Sequence, residues 1–262
     1  MPTVNVSDAE IYYEASGDAA ETVVFLGEIG FGAWAWGWQY RALTGPYQTI
    51  VFDTRGCGQS QTHTTEFDFE TLVSDLVSVL RATDTRSAHL IGCGLGGAVA
   101  LIAAKTTNRA KTLTLIGTAA TGSELPLSRL AADPQDHAAL RDSTTTAVSA
   151  AFADEQPTVI EQIIEWRSSE DASLEQWSAL AETCSAYDAT PLYECTVPSL
   201  VLHGEVDQIV PLEAAKALAD GLPRGEFIPI DGAGHLPQIE HSRVVNDHIL
   251  GFLDEQIEDG YY

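Results

Sequence analysis

The segment His89-Leu-Ile-Gly-Cys-Gly-Leu-Gly-Gly-Ala98 decides the reading of this chain. Ala88-His-Leu-Ile-Gly92 reads as a strand that runs straight into a glycine cluster. Gly97–Lys105 is apolar nearly all round, as a helix buried against a sheet must be. Between them Gly92, Gly94, Gly96 and Gly97 permit a sharp turn and a close approach of helix to strand. Working outward, Thr22–Leu26, Gln48–Asp53 and Lys111–Gly117 are further strand-length runs, and Val4–Val6 with Ile11–Glu14 reads as a short hairpin. Phe67–Ala82 repeats Leu72, Leu76, Val79 and Leu80 at helical spacing. Strands alternating with helices predict an α/β fold, a mainly parallel sheet with helices on both faces.

The alternation stops after residue 118. From 119 to 190 no strand pattern is visible, and Thr158–Trp166 and Asp171–Cys184 read as helices, the second with Leu174, Trp177, Ala181 and Cys184 on one face. The pattern returns with the strand Ser199–His203, the helix Leu212–Leu222, the strand Glu226–Ile230 and the helix Ser242–Glu258. The expected organisation is one α/β core, residues 1–118 and 191–262, interrupted by a helical cap at 119–190.

Strand, sharp turn and helix around residues 88–105 are the context of a Gly-x-Ser-x-Gly nucleophile elbow. Three other segments fit the same frame: Asp53-Thr-Arg-Gly-Cys-Gly-Gln-Ser60, Leu202-His-Gly-Glu-Val-Asp207 and Gly232-Ala-Gly-His-Leu-Pro-Gln-Ile-Glu240. Position 94, Asp207 and His235 follow in the order nucleophile, acid, base. On these segments the chain resembles the α/β-hydrolase superfamily over nearly its whole length. The resemblance implies His235 as general base, Asp207 as its orienting acid, and an oxyanion hole from the backbone amides of Ile29 and Leu95.

Two positions depart from that pattern. Gly94 stands where the nucleophile belongs, so no covalent intermediate can form there. The vacated position is expected to hold a water that His235 activates. Glu28 stands where the family usually has glycine after the first buried strand. It either lies in the pocket beside the oxyanion hole or points away and pairs with Arg55. Cys93, one residue before the elbow position, is expected to turn away from the pocket, and Cys57 has no evident activating base. Cys184 and Cys195 read as cap or core residues, and His203 as core. Phe31, Trp34, Trp36 and Trp38 either line an apolar pocket or anchor the loop that carries them. His63, His89, His137, His241 and His248 show no ligand spacing, so neither a metal nor another cofactor is expected.

Composition narrows the function classes. The 262 residues carry 38 acids and 13 bases, a formal charge of −25. Nucleic acid and anionic membrane both require a basic footprint, so neither is an expected partner. Lysine is confined to Lys105, Lys111 and Lys216, and the acids are scattered, a balance suited to molar salt. No apolar run reaches membrane-span length, and no basic-then-apolar leader is visible, so a cytoplasmic setting is expected. The expected function is hydrolysis of a small apolar ester, lactone or related carbonyl compound. The alternative is a non-catalytic ligand-binding or sensor protein on the same fold.

Overall fold

The computed structural model describes residues 2–258 and 260. One sheet contains β1 (Thr3–Asn5), β2 (Ala9–Ser16), β3 (Thr22–Leu26), β4 (Gln48–Phe52), β5 (Gln61–Thr62), β6 (Ala88–Cys93), β7 (Ala110–Ile116), β8 (Ser199–Gly204) and β9 (Gly225–Ile230). The strand order is β1-β2-β4-β3-β6-β7-β8-β9, with β5 beside β2. β2 pairs antiparallel with its neighbours, and every pairing from β4 to β9 is parallel, as the sequence predicts. β3, β6 and β8 are buried along their whole length, so they do not alternate apolar with solvent-facing polar residues, and the polar His89, Ser199 and His203 within them are buried too. β9 lies at the edge, and there Pro229 is tolerated.

The helices are α1 (Gly37–Leu43), α2 (Phe69–Ala82), α3 (Leu95–Thr106), α4 (His137–Ala147), α5 (Ala150–Glu155), α6 (Pro157–Glu170), α7 (Leu174–Ser185), α8 (Leu212–Gly221), α9 (Pro237–Glu240) and α10 (Ser242–Glu258). Their ends differ from the expected ones where a cap decides the boundary. Asp68 accepts from the Thr71 amide, so α2 begins after it rather than at Phe67. Ser173 accepts from the Gln176 amide, so α7 begins after it rather than at Asp171. Neither α4 nor α5 is evident from apolar spacing. The α4 sequence is rich in Thr and Ser, and its start is fixed by Asp136, which accepts from Ala138 and Ala139.

Between β7 and β8 the chain holds α4 to α7 and short turns of tighter helix. This segment leaves and re-enters the core at one place. The Gly122 amide donates to Tyr187 and the Ala189 amide to Ala120. Arg167 on α6 is buried inside the segment and donates to Ser143, Thr144, the Leu130 carbonyl and Asp171. Its guanidinium also lies 4.5 Å over the Phe31 ring, and the Ala172 amide donates to Gly30. The helical segment therefore rests on the loop that follows β3.

Strand register places the functional positions together. Leu26 pairs with Gly92, and Cys93 with Ile116. The C-terminal ends of β3, β6, β7 and β8 thus form one rim, where open parallel sheets carry their sites. Among the described residues, no helix is long and apolar enough to cross a membrane.

Candidate active site

The elbow forms as its glycines require. A Cβ on Gly92 would overlap the Gly96 backbone, and one on Gly96 would overlap Leu26, so strand and helix meet only because both are glycine. Gly94 has φ +49° and ψ −111°. Its amide donates to the Ile116 carbonyl at 2.9 Å, and its carbonyl accepts from Thr118 Oγ1 at 2.9 Å.

The space above Gly94 is filled by a carboxylate. A Cβ built on Gly94 would overlap the Glu28 carboxyl group. This corrects the expectation of a water there. It also decides between the two orientations of Glu28, since Arg55 is engaged by Asp75 at 2.7 Å and Asp8 at 3.3 Å. Glu28 Oε1 accepts from the Ile29 amide at 2.6 Å and the Leu95 amide at 3.2 Å. These are the two donors expected to form the oxyanion hole. Glu28 Oε2 lies 2.8 Å from His235 Nε2. One side chain therefore occupies both the oxyanion position and the nucleophile position.

His235 completes the line, with Nδ1 2.8 Å from Asp207 Oδ2. Glu28 is 1% exposed and His235 0%. Burial alone would lower the imidazole pKa. The Asp207 charge and hydrogen bond, followed by those of Glu28, outweigh it and raise it to about 10. His235 thus lies between the carboxyl groups of Asp207 and Glu28, both of which favour its protonated form. Burial likewise raises Asp207, but the charge and hydrogen bond of His235, with His203 and the Ile209 amide, hold it below its ordinary value. The Asp207 carboxylate is further fixed by the Ile209 and Val210 amides, which donate to Oδ1 at 2.7 and 3.1 Å.

Cys93 does not turn away. Its Sγ lies 3.7 Å from Glu28 Oε2 and accepts from Gln238 Nε2 at 3.4 Å. Burial, then the Glu28 charge, push this thiol well above its usual range. Potential metal-ligand atoms of Glu28, Cys93 and His235 all lie within 4.8 Å of one another. None of the five histidines without ligand spacing belongs to this group, which the fold assembles from three positions distant in the chain. Cys57 is buried, and burial followed by the charges of Asp53 and Asp171 raises its thiol. Gln238 has no role assigned from sequence, and its only signal is its place three residues after His235 in the same segment.

The aromatic cluster divides. Trp36 packs in the core against Phe25 at 5.2 Å, and Phe31 lies under Arg167. Trp34 stacks on Trp166 at 5.6 Å and, with Trp38 and Arg41, lines a cavity of about 600 Å³.

Comparison with known proteins agrees with this architecture. A family model described as the alpha/beta hydrolase fold matches residues 29–242. The chain is similar to the 2-hydroxy-6-oxononadienedioate/2-hydroxy-6-oxononatrienedioate hydrolase of Paraburkholderia phymatum, 28% identical over 274 residues and covering 95% of this chain and 92% of that one. Among solved structures it is similar to the enol-lactonase from Burkholderia xenovorans LB400, with TM-score 0.87, 23% identity, 97% of this chain and 100% of that chain covered. The thermophilic esterase from Thermogutta terrifontis superposes with TM-score 0.85 at 24% identity, over 97% of this chain and 98% of that one. At these identities the two structures speak for the fold alone. With strand order, elbow and family model in agreement over more than half of its length, the chain belongs to the α/β-hydrolase family.

Proposed function

We propose that the chain is a hydrolase that attacks a small, largely apolar ester, lactone or related carbonyl compound directly with water, without an acyl-enzyme. The observation that carries this reading is the line Glu28–His235–Asp207, with 2.8 Å at each link, at the foot of an elbow that offers no hydroxyl. A carboxylate is a competent general base for water. In this reading Glu28 Oε2 takes the proton, and the His235–Asp207 pair holds the charge beside it. Once protonated, Glu28 is a weaker acceptor for the Ile29 and Leu95 amides, which then turn to the developing oxyanion. The 119–190 segment acts as the cap over this chemistry, anchored through Arg167, Phe31 and Ala172. The relative from Paraburkholderia phymatum, named a hydrolase, supports the reaction class.

The test is a panel of activated esters and lactones in molar salt, followed by a single turnover in ¹⁸O-water. The expected result is turnover that Glu28→Gln abolishes, with label in the product and none in the peptide carrying Glu28. Label in that peptide would show the carboxylate itself attacking carbon, and would overturn direct water attack.

One observation favours a second reading, a non-catalytic ligand-binding protein. Glu28 Oε1 already satisfies both amide donors in a buried site. Absence of turnover across the panel, with small apolar ligands raising the melting temperature, would select it.

A further inference from the structure

We infer that Glu28 Oε2, His235 Nε2 and Cys93 Sγ form the binding site of a divalent transition-metal ion of the zinc class. The inference rests on the reading of direct water attack and changes one role in it: with the ion bound, Glu28 Oε2 is a ligand, and the ion rather than this oxygen would make the water acidic enough to attack.

Three features of the site support it. First, the donor set is mixed oxygen, nitrogen and sulfur, and all three donors are buried. Zinc accepts this combination, and three protein ligands with one open position is its catalytic rather than structural arrangement. Second, the geometry is close to what the ion needs. Tetrahedral zinc–ligand bonds place ligand atoms roughly 3.4–3.6 Å apart. Oε2 and Sγ stand 3.7 Å apart, and Oε2 and Nε2 stand 2.8 Å apart, a proton-sharing distance that the ion widens. Third, the outer partners of a metal site are present. His235 Nδ1 is held by Asp207, the carboxylate–histidine arrangement that orients metal-bound imidazole. Glu28 Oε1 is held by two amides, and Gln238 Nε2 donates to Cys93 Sγ. Gln238 Oε1 is buried and makes no hydrogen bond, so it is available to accept from a metal-bound water.

The balance is simple. The ion replaces the proton between Glu28 and His235 and the proton on Cys93, releasing two protons to solvent. One carboxylate, one thiolate and a neutral imidazole backed by Asp207 then face a dication. Gly94 matters here because any side chain at residue 94 would overlap the Glu28 carboxylate that reaches the ion.

The experiment uses untagged full-length protein in molar salt with cobalt(II) chloride as the probe. Because the ligands are buried, loading is done both by long incubation and by refolding from denaturant with the ion present. The expected result is one equivalent of cobalt, with the visible bands of tetrahedral Co(II) and a near-ultraviolet thiolate-to-cobalt band, displaced by zinc. Cys93→Ser should abolish the thiolate band, while Cys57→Ser and Cys184→Ser keep it. Asp207→Asn should weaken binding by about 10–100-fold. Circular dichroism establishes that each variant is folded. If folded wild-type protein takes up no cobalt at equimolar concentration by either route, or if the bands survive Cys93→Ser, the metal site is overturned. Binding is read without turnover, so failure here leaves direct water attack standing, and an inactive panel leaves the metal site standing.

Discussion

Glu28 Oε2 and His235 Nε2 lie 2.8 Å apart although 207 residues separate them in the chain. The glutamate comes from the loop after β3 and the histidine from the loop after β9, on either side of the β6 elbow. The contact exists because residue 94 has no side chain to stand between them. Positions 28 and 94 are therefore one design decision rather than two.

The first consequence concerns restoring the serine. Gly94→Ser alone places its Cβ inside the Glu28 carboxyl group. Overpacking of a tight core costs about 1–3 kcal/mol, so the single variant is expected to be destabilised by at least that amount. Glu28→Gly with Gly94→Ser removes the overlap, and the double variant should be more stable than the sum of the single effects implies. Denaturant melts of the four proteins in the cycle measure this. Additive effects would show that the two side chains do not compete for one space.

Two substitutions at Glu28 separate charge from occupancy. Glu28→Gln keeps an oxygen for the Ile29 and Leu95 amides, while its own amide can donate to neutral His235. Glu28→Ala leaves both buried donors unmade and opens a cavity. Each buried unsatisfied donor costs about 1–3 kcal/mol. Glu28→Ala is therefore expected to lose more stability than Glu28→Gln, by about 2 kcal/mol or more. Equal melting midpoints for the two variants would show that the amides are not held by this side chain.

The fold was legible because its signals are local. The strand-length runs of β3, β6 and β8 and the glycines around residue 94 are each contained within a few residues. Asp207 and His235 were legible through the short segments that carry them. The role of Glu28 was not, because it depends on the reach of a side chain from one rim loop into the space left by another. Cys93 was misjudged for a related reason. In an elbow its side chain faces away from the nucleophile position, but here Glu28 comes from a different strand and meets the sulfur. The α4 and α5 helices were missed because capping by Asp136 and Ser149 defines them more than apolar spacing does.

Acid sensitivity should trace in part to His89. This residue is buried in β6, where Nδ1 meets Thr112 Oγ1 at 2.9 Å and Nε2 meets Glu21 Oε2 at 3.2 Å. Burial lowers its pKa to about 4, outweighing the opposite pull of Glu21. A folded value below the unfolded one of about 6.5 means the neutral form is favoured by folding. The contribution is present above pH ~6.5 and is lost as pH falls towards the folded value, up to about 3 kcal/mol in all. His203, also lowered by burial, acts in the same sense. His235 has its pKa raised to about 10, so its contribution is present below pH ~6.5 and lost as pH rises towards that folded value. Urea melts from pH 7 to 4 should show wild-type stability falling more steeply than that of His89→Gln. Parallel curves would remove His89 from the account.

Salt should act in the opposite direction to acid unfolding. The chain carries 38 acids against 13 bases, and few of the acids are buried. Unscreened, a formal charge of −25 on one domain repels itself and favours the expanded state. The screening length falls from ~10 Å at 0.1 M to ~3 Å at 1 M, shorter than most separations between surface acids. Ion pairs such as Arg141–Glu161 are exposed and contribute little in any salt, so their screening does not offset the gain. The buried links Arg55–Asp75 and Arg167–Asp171 are shielded from salt by the protein around them. The melting temperature is therefore expected to rise steadily from low to molar potassium chloride. Variants that replace a group of surface acids with glutamine should start from a higher melting temperature in low salt and gain less from its addition. A melting temperature that stays flat or falls with salt in the wild-type protein would show that self-repulsion does not limit its stability.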